Sequence, residues 1–149
     1  NGLKGIKEIG AKDDDIVIIH DSARPLINQR IIRENIECCK AYGAVNTVIK
    51  ATDTIVKSEN GQTISDIPVR KELYQGQTPQ TFNFSLIWNA HEAVKNKSVP
   101  NVTDDTKLVL LLGHDVHLVE GDKLNFKITT FDDLMMLKAL LKIGKSEVL

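Results

Sequence analysis

Only two cysteines occur among the 149 residues, and they are adjacent, Cys38 and Cys39. A vicinal pair cannot staple a loop, and no Cys or His stands at zinc-ligand spacing from it. The pair therefore reads as reduced thiols of a cytoplasmic protein, not as a disulfide or a metal clip. Charge of either sign is not in excess. The chain has 19 Lys and Arg against 20 Asp and Glu, a formal net charge of −1. That balance gives no reason to expect nucleic acid or a bare membrane surface as partner. No apolar run approaches the length of a membrane span. A Gly-x-Gly-x-x-Gly loop, a Walker A loop and a Gly-x-Ser-x-Gly elbow are all missing from these residues. Dinucleotide binding of the usual kind and serine nucleophilic catalysis thereby lose their sequence support.

What is present is an ordinary globular composition, 42% hydrophobic and 26% charged, sized for one domain over residues 1–149 with a real core. Ile16-Val17-Ile18-Ile19 is a β-branched run that reads as a strand buried on both faces. It leads into His20-Asp21-Ser22-Ala23-Arg24-Pro25, where Pro25 forbids simple continuation. Polar residues at the carboxyl end of such a strand lie where open α/β sheets bind ligands. Position alone leaves two readings of Asp21: a ligand-facing acid, or a cap of the following turn.

The remaining chain alternates. Ile31, Ile32, Ile36 and Cys39 predict a helix over 29–42, stopped by Gly43. Residues 44–50 read as a second strand, and strand–helix–strand is right-handed by default. Residues 53–74 break the rhythm. Two short β-rich runs flank Asn60-Gly61, a strong hairpin signal. This arm is too polar for a core of its own. It lies either on a partner subunit or on the edge of its own sheet. Tyr74 to Phe82, rich in amides and hydroxyls with Gly76 and Pro79, reads as a shaped loop or a surface turn. A helix is expected over 84–96, a second beginning at a Thr103 cap, a short strand at 116–119, and an apolar strand Phe126-Lys127-Ile128-Thr129. A last helix over 131–143 is capped by Thr130, with Leu134, Leu137, Leu140 and Leu141 inward. His114 and His117 lack a third ligand for a metal, and His91 reads as a solvated helix residue. The whole is an α/β domain with a mostly parallel sheet.

One acid with several cations, here Asp21, Arg24, Arg70 and Lys127, suits a divalent metal that holds phosphates. Residue chemistry alone reaches no further than an α/β domain for a phosphorylated ligand.

The motifs in their order carry more. His-Asp-Ser-Ala-Arg-Pro at 20–25, Asp53-Thr54, Tyr-Gln-Gly-Gln-Thr-Pro-Gln-Thr-Phe at 74–82, Thr-Asp-Asp at 103–105, Val-Glu-Gly at 119–121 and Phe-Lys-Ile-Thr-Thr at 126–130 closely resemble the cytidylyltransferases of sugar-alcohol phosphates. These act on 2-C-methyl-D-erythritol 4-phosphate in isoprenoid synthesis or on ribitol 5-phosphate in teichoic acid synthesis. The resemblance implies a Rossmann-like nucleotidyltransferase fold, CTP as donor, Mg²⁺, pyrophosphate as product, and a homodimer formed through the 53–74 arm. It makes Asp21 the metal ligand beside the phosphates, with Ser22 and Arg24 nearby on the nucleotide. Lys127 becomes the cation that stabilises the α-phosphorus. Thr54, Arg70, Thr78 and Thr103 match positions that hold the polyol phosphate, with Thr54 and Arg70 reaching into the neighbouring subunit. Asp66 to Arg70 and Tyr74 to Gln77 lean toward ribitol phosphate, whereas Thr103 to Asp105 read equally well as the methylerythritol type. The family's Gly-rich CTP-gripping loop is not among these residues. The resemblance therefore suggests the carboxyl-terminal two-thirds of an enzyme, with little turnover by this stretch alone. A non-catalytic dimerisation or scaffold domain on the same fold is the alternative of another class.

Overall fold

Asn28 and Gly43 fix the two ends of the first long helix, α2 (Gln29–Tyr42). A computed structural model describes residues 2–95, 102 and 104–147. In it the Asn28 side chain accepts from the Ile31 amide at 3.0 Å. Gly43 adopts φ 83°, and its N–H returns to the Cys39 carbonyl. That left-handed geometry strains any residue with a Cβ. The sequence-read bounds of α2 and of strand β2 (Ala44–Lys50) are those observed.

Strand β1 (Ile16–Ile19) precedes α2, and α1 (Gly2–Glu8) precedes β1. After β2 come β3 (Tyr74–Asn83), α3 (Phe84–Val94), α4 (Asp105–Leu111), β4 (His117–Glu120) and α5 (Phe131–Glu147). The four strands lie in the order β1-β3-β2-β4. β1 and β2 both pair with β3 antiparallel, and β2 pairs with β4 parallel. Thus β1, β2 and β4 share a direction and β3 opposes them. The expected mostly parallel sheet is corrected: two of the three pairings are antiparallel. The cause is the stretch 74–83, which is a ten-residue strand at the sheet's centre and not a loop. β1 is correspondingly an edge of this sheet, half-buried with Ile18 39% exposed, and not buried on both faces.

Pro79 stands inside β3, where a missing N–H is tolerated only at an irregularity. The β2–β3 register shifts between Asn46 and Val48. There the Thr47 hydroxyl donates to the Pro79 carbonyl at 2.7 Å, and Asn35 of α2 bonds both Thr47 and Thr81. All of these are buried. On the other side of β3, the register that sets Gln80 opposite Ile19 brings Thr78 beside Asp21.

Helices cover both faces. Ala44, Phe82, Ile87, Ala90, Leu108 and Val109 pack on the α3–α4 side. Cys39 of α2 packs on Val45 and Val119 on the other side. α4 is capped by Asp104, whose side chain accepts from the Lys107 amide; the expected cap, Thr103, lies outside the described residues. Residues 126–129 form no strand. A backbone bond ties them to the β1 loop, Ile128 N–H to the Ala23 carbonyl at 2.9 Å. Thr130 caps α5 as expected, accepting from the Asp133 amide. The leucines of α5 are less inward than its period suggests: Leu134, Leu137 and Leu140 are half-buried and Leu141 is 50% exposed. The arm keeps its Asn60-Gly61 turn, but between residues 53 and 69 it shows one bridge, Lys57 to Asp66, and no regular strand. Short runs with no second apolar face to pack on do not extend a ladder.

Candidate active site

β1 delivers His20 and Asp21 to the sheet's end, and a turn closed by Arg24 N–H to the Asp21 carbonyl at 3.0 Å brings Arg24 back. Arg24 Nε then lies 3.3 Å from Asp21 Oδ2. Lys127, from the segment between β4 and α5, places Nζ 3.2 Å from the same oxygen. Asp21 and Lys127 are partly exposed, whereas the Arg24 side chain is nearly covered. Burial of the Asp21 carboxyl works against its charge. The hydrogen bond and charge of Lys127, followed by those of Arg24, outweigh it and hold the group below the usual carboxylate range.

The segment carrying Lys127 is fastened to β3 by side chains that sequence reading passed over. Asn125, fully buried, donates to the Thr78 carbonyl at 2.8 Å and to Gln77 Oε1 at 3.3 Å. Its own carbonyl accepts from Arg24 Nη1 at 2.8 Å. Gln77 spans the other side, donating to the Asp122 carbonyl at 2.9 Å and accepting from the Asp122 amide at 3.3 Å. Gly121 is required beside it, because a Cβ there would collide with Gln77 Oε1 and touch Thr47 Cγ2 at 3.0 Å. Arg30 of α2 completes the fastening by donating to the Glu120 and Gly121 carbonyls. The only sequence signal for Gln77 and Asn125 was amide-rich composition, since their partners lie far off in the chain.

A cleft of about 410 Å³ opens over this cluster, lined by Ile19, Asp21, Arg24, Gly76, Thr78 and Lys127. Asp104 and Asp105, at the start of α4, form its opposite wall. Asp105 accepts from or pairs with His91 at 2.7 Å, so His91 braces this wall and is not merely solvated. A second cleft of about 450 Å³ shares Arg24, Gly76, Gln77 and Lys127 and adds Thr52, Asp53 and Lys123. Arg24 and Lys127, which meet through Asp21, therefore line both clefts.

Of the residues singled out in the sequence, the fold unites Asp21, Arg24, Thr78 and Lys127. Ser22 is exposed on the turn beside them. Thr54 and Arg70 are exposed and line neither cleft; Arg70 Nη1 donates to the Thr52 carbonyl at 3.2 Å. Thr103 lies outside the described residues. Among the described residues no group of three acids, histidines or cysteines is gathered as a metal cage. No helix among them is long and apolar enough to cross a membrane.

The family model described as 2-C-methyl-D-erythritol 4-phosphate cytidylyltransferase matches residues 1–143. Among solved structures, the chain is similar to 2-C-methyl-D-erythritol 4-phosphate cytidylyltransferase from Thermus thermophilus. They share 31% identity with a TM-score of 0.81, over 94% of this chain and 67% of that one. It is also similar to 4-diphosphocytidyl-2C-methyl-D-erythritol synthase from Anaerococcus prevotii, at 29% identity and TM-score 0.83, over 95% of this chain and 62% of that one. The cytidylyltransferase from Francisella tularensis matches at 30% identity and TM-score 0.82, over 93% of this chain and 64% of that one. The chain thus spans 62% to 67% of the length of these relatives.

Proposed function

The chain belongs to the 2-C-methyl-D-erythritol 4-phosphate cytidylyltransferase family, and from that membership we propose that it transfers a cytidylyl group from CTP to 2-C-methyl-D-erythritol 4-phosphate and releases pyrophosphate. The observation that carries this reading is Asp21 at one cleft, held by Arg24 and Lys127, which also line a second cleft. The ribitol phosphate preference read from residues 66–77 gives way here. The family model and the relatives described above carry the methylerythritol name, so they support that acceptor better.

In the proposed reaction an oxygen of the acceptor phosphate attacks the α-phosphorus of CTP. A new P–O bond forms, and the bond from the α-phosphorus to the bridging oxygen of the β-phosphate breaks. Pyrophosphate leaves with that electron pair. The acceptor is already an anion at neutral pH, so no strong base is needed. The protein's task is alignment and charge neutralisation. Lys127 and Arg24 face both clefts, where they meet the phosphates of donor and acceptor. Their grip on Asp21 orders these cations before substrate arrives.

Mg²⁺ fits this donor set. Both cations approach Asp21 through Oδ2, and among the described residues Oδ1 makes no hydrogen bond. One carboxylate together with phosphate oxygens is a usual Mg²⁺ environment. Asp21 would hold the ion, which when bound neutralises triphosphate charge. The 53–74 arm is proposed as the dimer contact through which Thr54 and Arg70 meet the acceptor in the neighbouring site, with Thr103 on the same ligand. Exposed Ile55, Val56, Ile64, Ile67 and Val69 support that arm contact. A cytoplasmic location accords with the two free thiols.

The test is pyrophosphate release from CTP and Mg²⁺ with each acceptor in turn, on the full protein that contains this chain. Release with methylerythritol phosphate and little with ribitol phosphate is expected. The reverse preference overturns the acceptor, and no release with either overturns the activity.

A further inference from the structure

Asn125 stands two residues before Lys127 and is fully buried although its side chain is an amide. Its Nδ2 lies 2.8 Å from the Thr78 carbonyl oxygen and 3.3 Å from Gln77 Oε1. We propose that Asn125 is a positioning residue, whose side-chain amide fixes the Lys127 segment against β3 and so places the Lys127 ammonium at Asp21 and the phosphates. Its catalytic consequence rests on the cytidylyl-transfer reading; the hydrogen-bond pattern stands without it.

Backbone groups settle how the two amides point. A carbonyl oxygen only accepts, so the Asn125 atom that meets Thr78 is the NH₂ nitrogen. The Asp122 amide only donates and the Asp122 carbonyl only accepts, so Gln77 turns Oε1 to the first and Nε2 to the second. Gln77 Oε1 then also accepts from Asn125. Reversing the Asn125 amide would set its oxygen against two acceptors. Among the described residues Asn125 Oδ1 has no hydrogen-bond partner. The side chain therefore acts through its two N–H donors alone.

Those donors decide where Lys127 stands. Residues 126–129 belong to no strand, so no ladder fixes them. Two clamps bracket Lys127 instead. On one side Asn125 grips β3, while its backbone N–H closes a turn onto the Asp122 carbonyl at 3.0 Å. On the other side the Ile128 N–H bonds the Ala23 carbonyl. Loss of the Asn125 side chain leaves that second clamp, so Lys127 stays near the β1 loop but is no longer held in one place. Arg24 is disturbed less, because it bonds the Asn125 backbone carbonyl, which every substitution keeps. The contact with Thr78 likewise uses backbone and makes no demand on the Thr78 hydroxyl. Displacing a reacting group by about 1 Å costs about 100-fold in rate.

The test is a kinetic cycle on the full protein that contains this chain. Pyrophosphate release from CTP, Mg²⁺ and methylerythritol phosphate is measured for wild type, Asn125→Ala, Lys127→Ala and the double variant. Asn125→Ala should lower kcat about 10-fold to 100-fold, with KM for each substrate changed by less than about 3-fold. Added to Lys127→Ala, it should lower kcat by less than about 3-fold more, because no ammonium is left to place. Asn125→Asp keeps the shape without the donors and should be no more active than Asn125→Ala. In the wild type, the Asn125 NH₂ protons, assigned by their loss in an Asn125 variant, should exchange with water at least about 10-fold more slowly than exposed side-chain amides. A kcat near wild type in Asn125→Ala or Asn125→Asp, a full further loss in the double variant, or rapid exchange of the Asn125 NH₂ each overturns the proposal. Should Asn125→Ala not fold, the milder Asn125→Ser enters the same cycle, and the wild-type exchange still judges the contact. If the wild type itself releases no pyrophosphate, the transfer reading fails, while the exchange data continue to judge the amide.

Discussion

Lys127 Nζ stands 3.2 Å from Asp21 Oδ2, and Asn125, two residues before Lys127, ties its segment to Gln77 and Thr78 of β3. Asp21 arrives on the end of β1. Lys127 arrives on an irregular segment whose position depends on the Asn125 and Gln77 amides. Removing either charge should therefore damage the reaction far more than the fold. Both side chains are partly exposed, so solvent screening limits the pair's contribution to stability to about 1 kcal/mol or less. Asp21→Asn and Lys127→Ala are expected to lower metal-dependent pyrophosphate release by roughly 100-fold or more. Their urea midpoints should stay close to wild type, and any dimer should persist. Activity near wild type in Asp21→Asn would show that this carboxylate does not serve the reaction, whereas no release by the wild type would favour the non-catalytic scaffold reading.

The same geometry sets an acid limit. Lys127 and Arg24 overcome the burial penalty and hold the Asp21 pKa below its ordinary value. A carboxylate with a depressed folded-state pKa stabilises the fold fully above its unfolded pKa, about 3.9. That contribution is lost as pH falls through the lower, folded value. Asp21 should thus remain ionised throughout the range in which ordinary aspartates begin to protonate. Lys127→Ala should shift its titration upward. Carboxyl ¹³C NMR of Asp21 reads this directly. Asp133 provides an internal comparison at the start of α5. Hydrogen bonds from the backbone and side chains of Thr129 and Thr130 lower it to about 2. It should titrate near the acid end of any such series. An Asp21 that titrates at or above the ordinary value would contradict the pairing described here.

How far the chain could be read depended on where each residue's partners sit. α2 and β2 were legible to the residue because their signals are local: the period of Ile31, Ile36 and Cys39, the stop at Gly43, and the β-branched run after it. Asp21 was legible as a polar residue at a strand end. β3 was not, because its signals point the other way. Gln77, Thr78 and Gln80 look like loop chemistry, and Pro79 lacks a ladder donor. Their bonds go to Asn46, Thr47, Asp21 and Asn125, none of them near in sequence. An apolar spelling likewise made a strand of residues 126–129, which the fold uses as a tethered segment. The Asn60-Gly61 turn was legible, but the ladder beyond it was not. Turn chemistry acts locally, and strand pairing needs a surface to lie on.

The adjacent thiols should behave unequally. Cys39 is fully buried on the face of α2 that packs on Val45 and Val119 of the sheet, and burial, with Cys38 beside it, pushes its pKa up to about 11. Cys38 is half-buried and raised by burial alone. The thiolate is the reactive form, so at pH 7.5 Cys39 is almost wholly protonated and also shielded. A thiol-exchange reagent added to the folded protein should modify Cys38 slowly, and Cys39 only after denaturant is added. Peptide mass analysis locates the label. Rapid labelling of Cys39 in the native state would show that α2 does not stay packed on the sheet.

Gly121 offers the sharpest test of how the Lys127 segment is held. It is fully enclosed, and its Cα faces Gln77 Oε1 and Thr47 Cγ2. A longer side chain elsewhere would rotate away from an alanine methyl. Gln77 is not free to do so, because it is only 5% exposed and its amide already bonds Asp122 and Asn125. Thr47 is locked as well, between Asn35 and the Pro79 carbonyl. Gly121→Ala must therefore break part of the bracket or push β4 from β2. Either outcome leaves buried polar groups short of partners, at a cost of about 1–3 kcal/mol. Loss of the bracket also moves Lys127 relative to Asp21, so kcat should fall along with stability. The double variant Gly121→Ala with Gln77→Ala removes the collision but not the loss of the bracket. It should be no less stable than Gln77→Ala by more than about 0.5 kcal/mol, because the two changes act on one contact and are not additive. Urea unfolding of the four proteins closes that cycle. Strict additivity would mean that Gly121 is constrained by something other than Gln77.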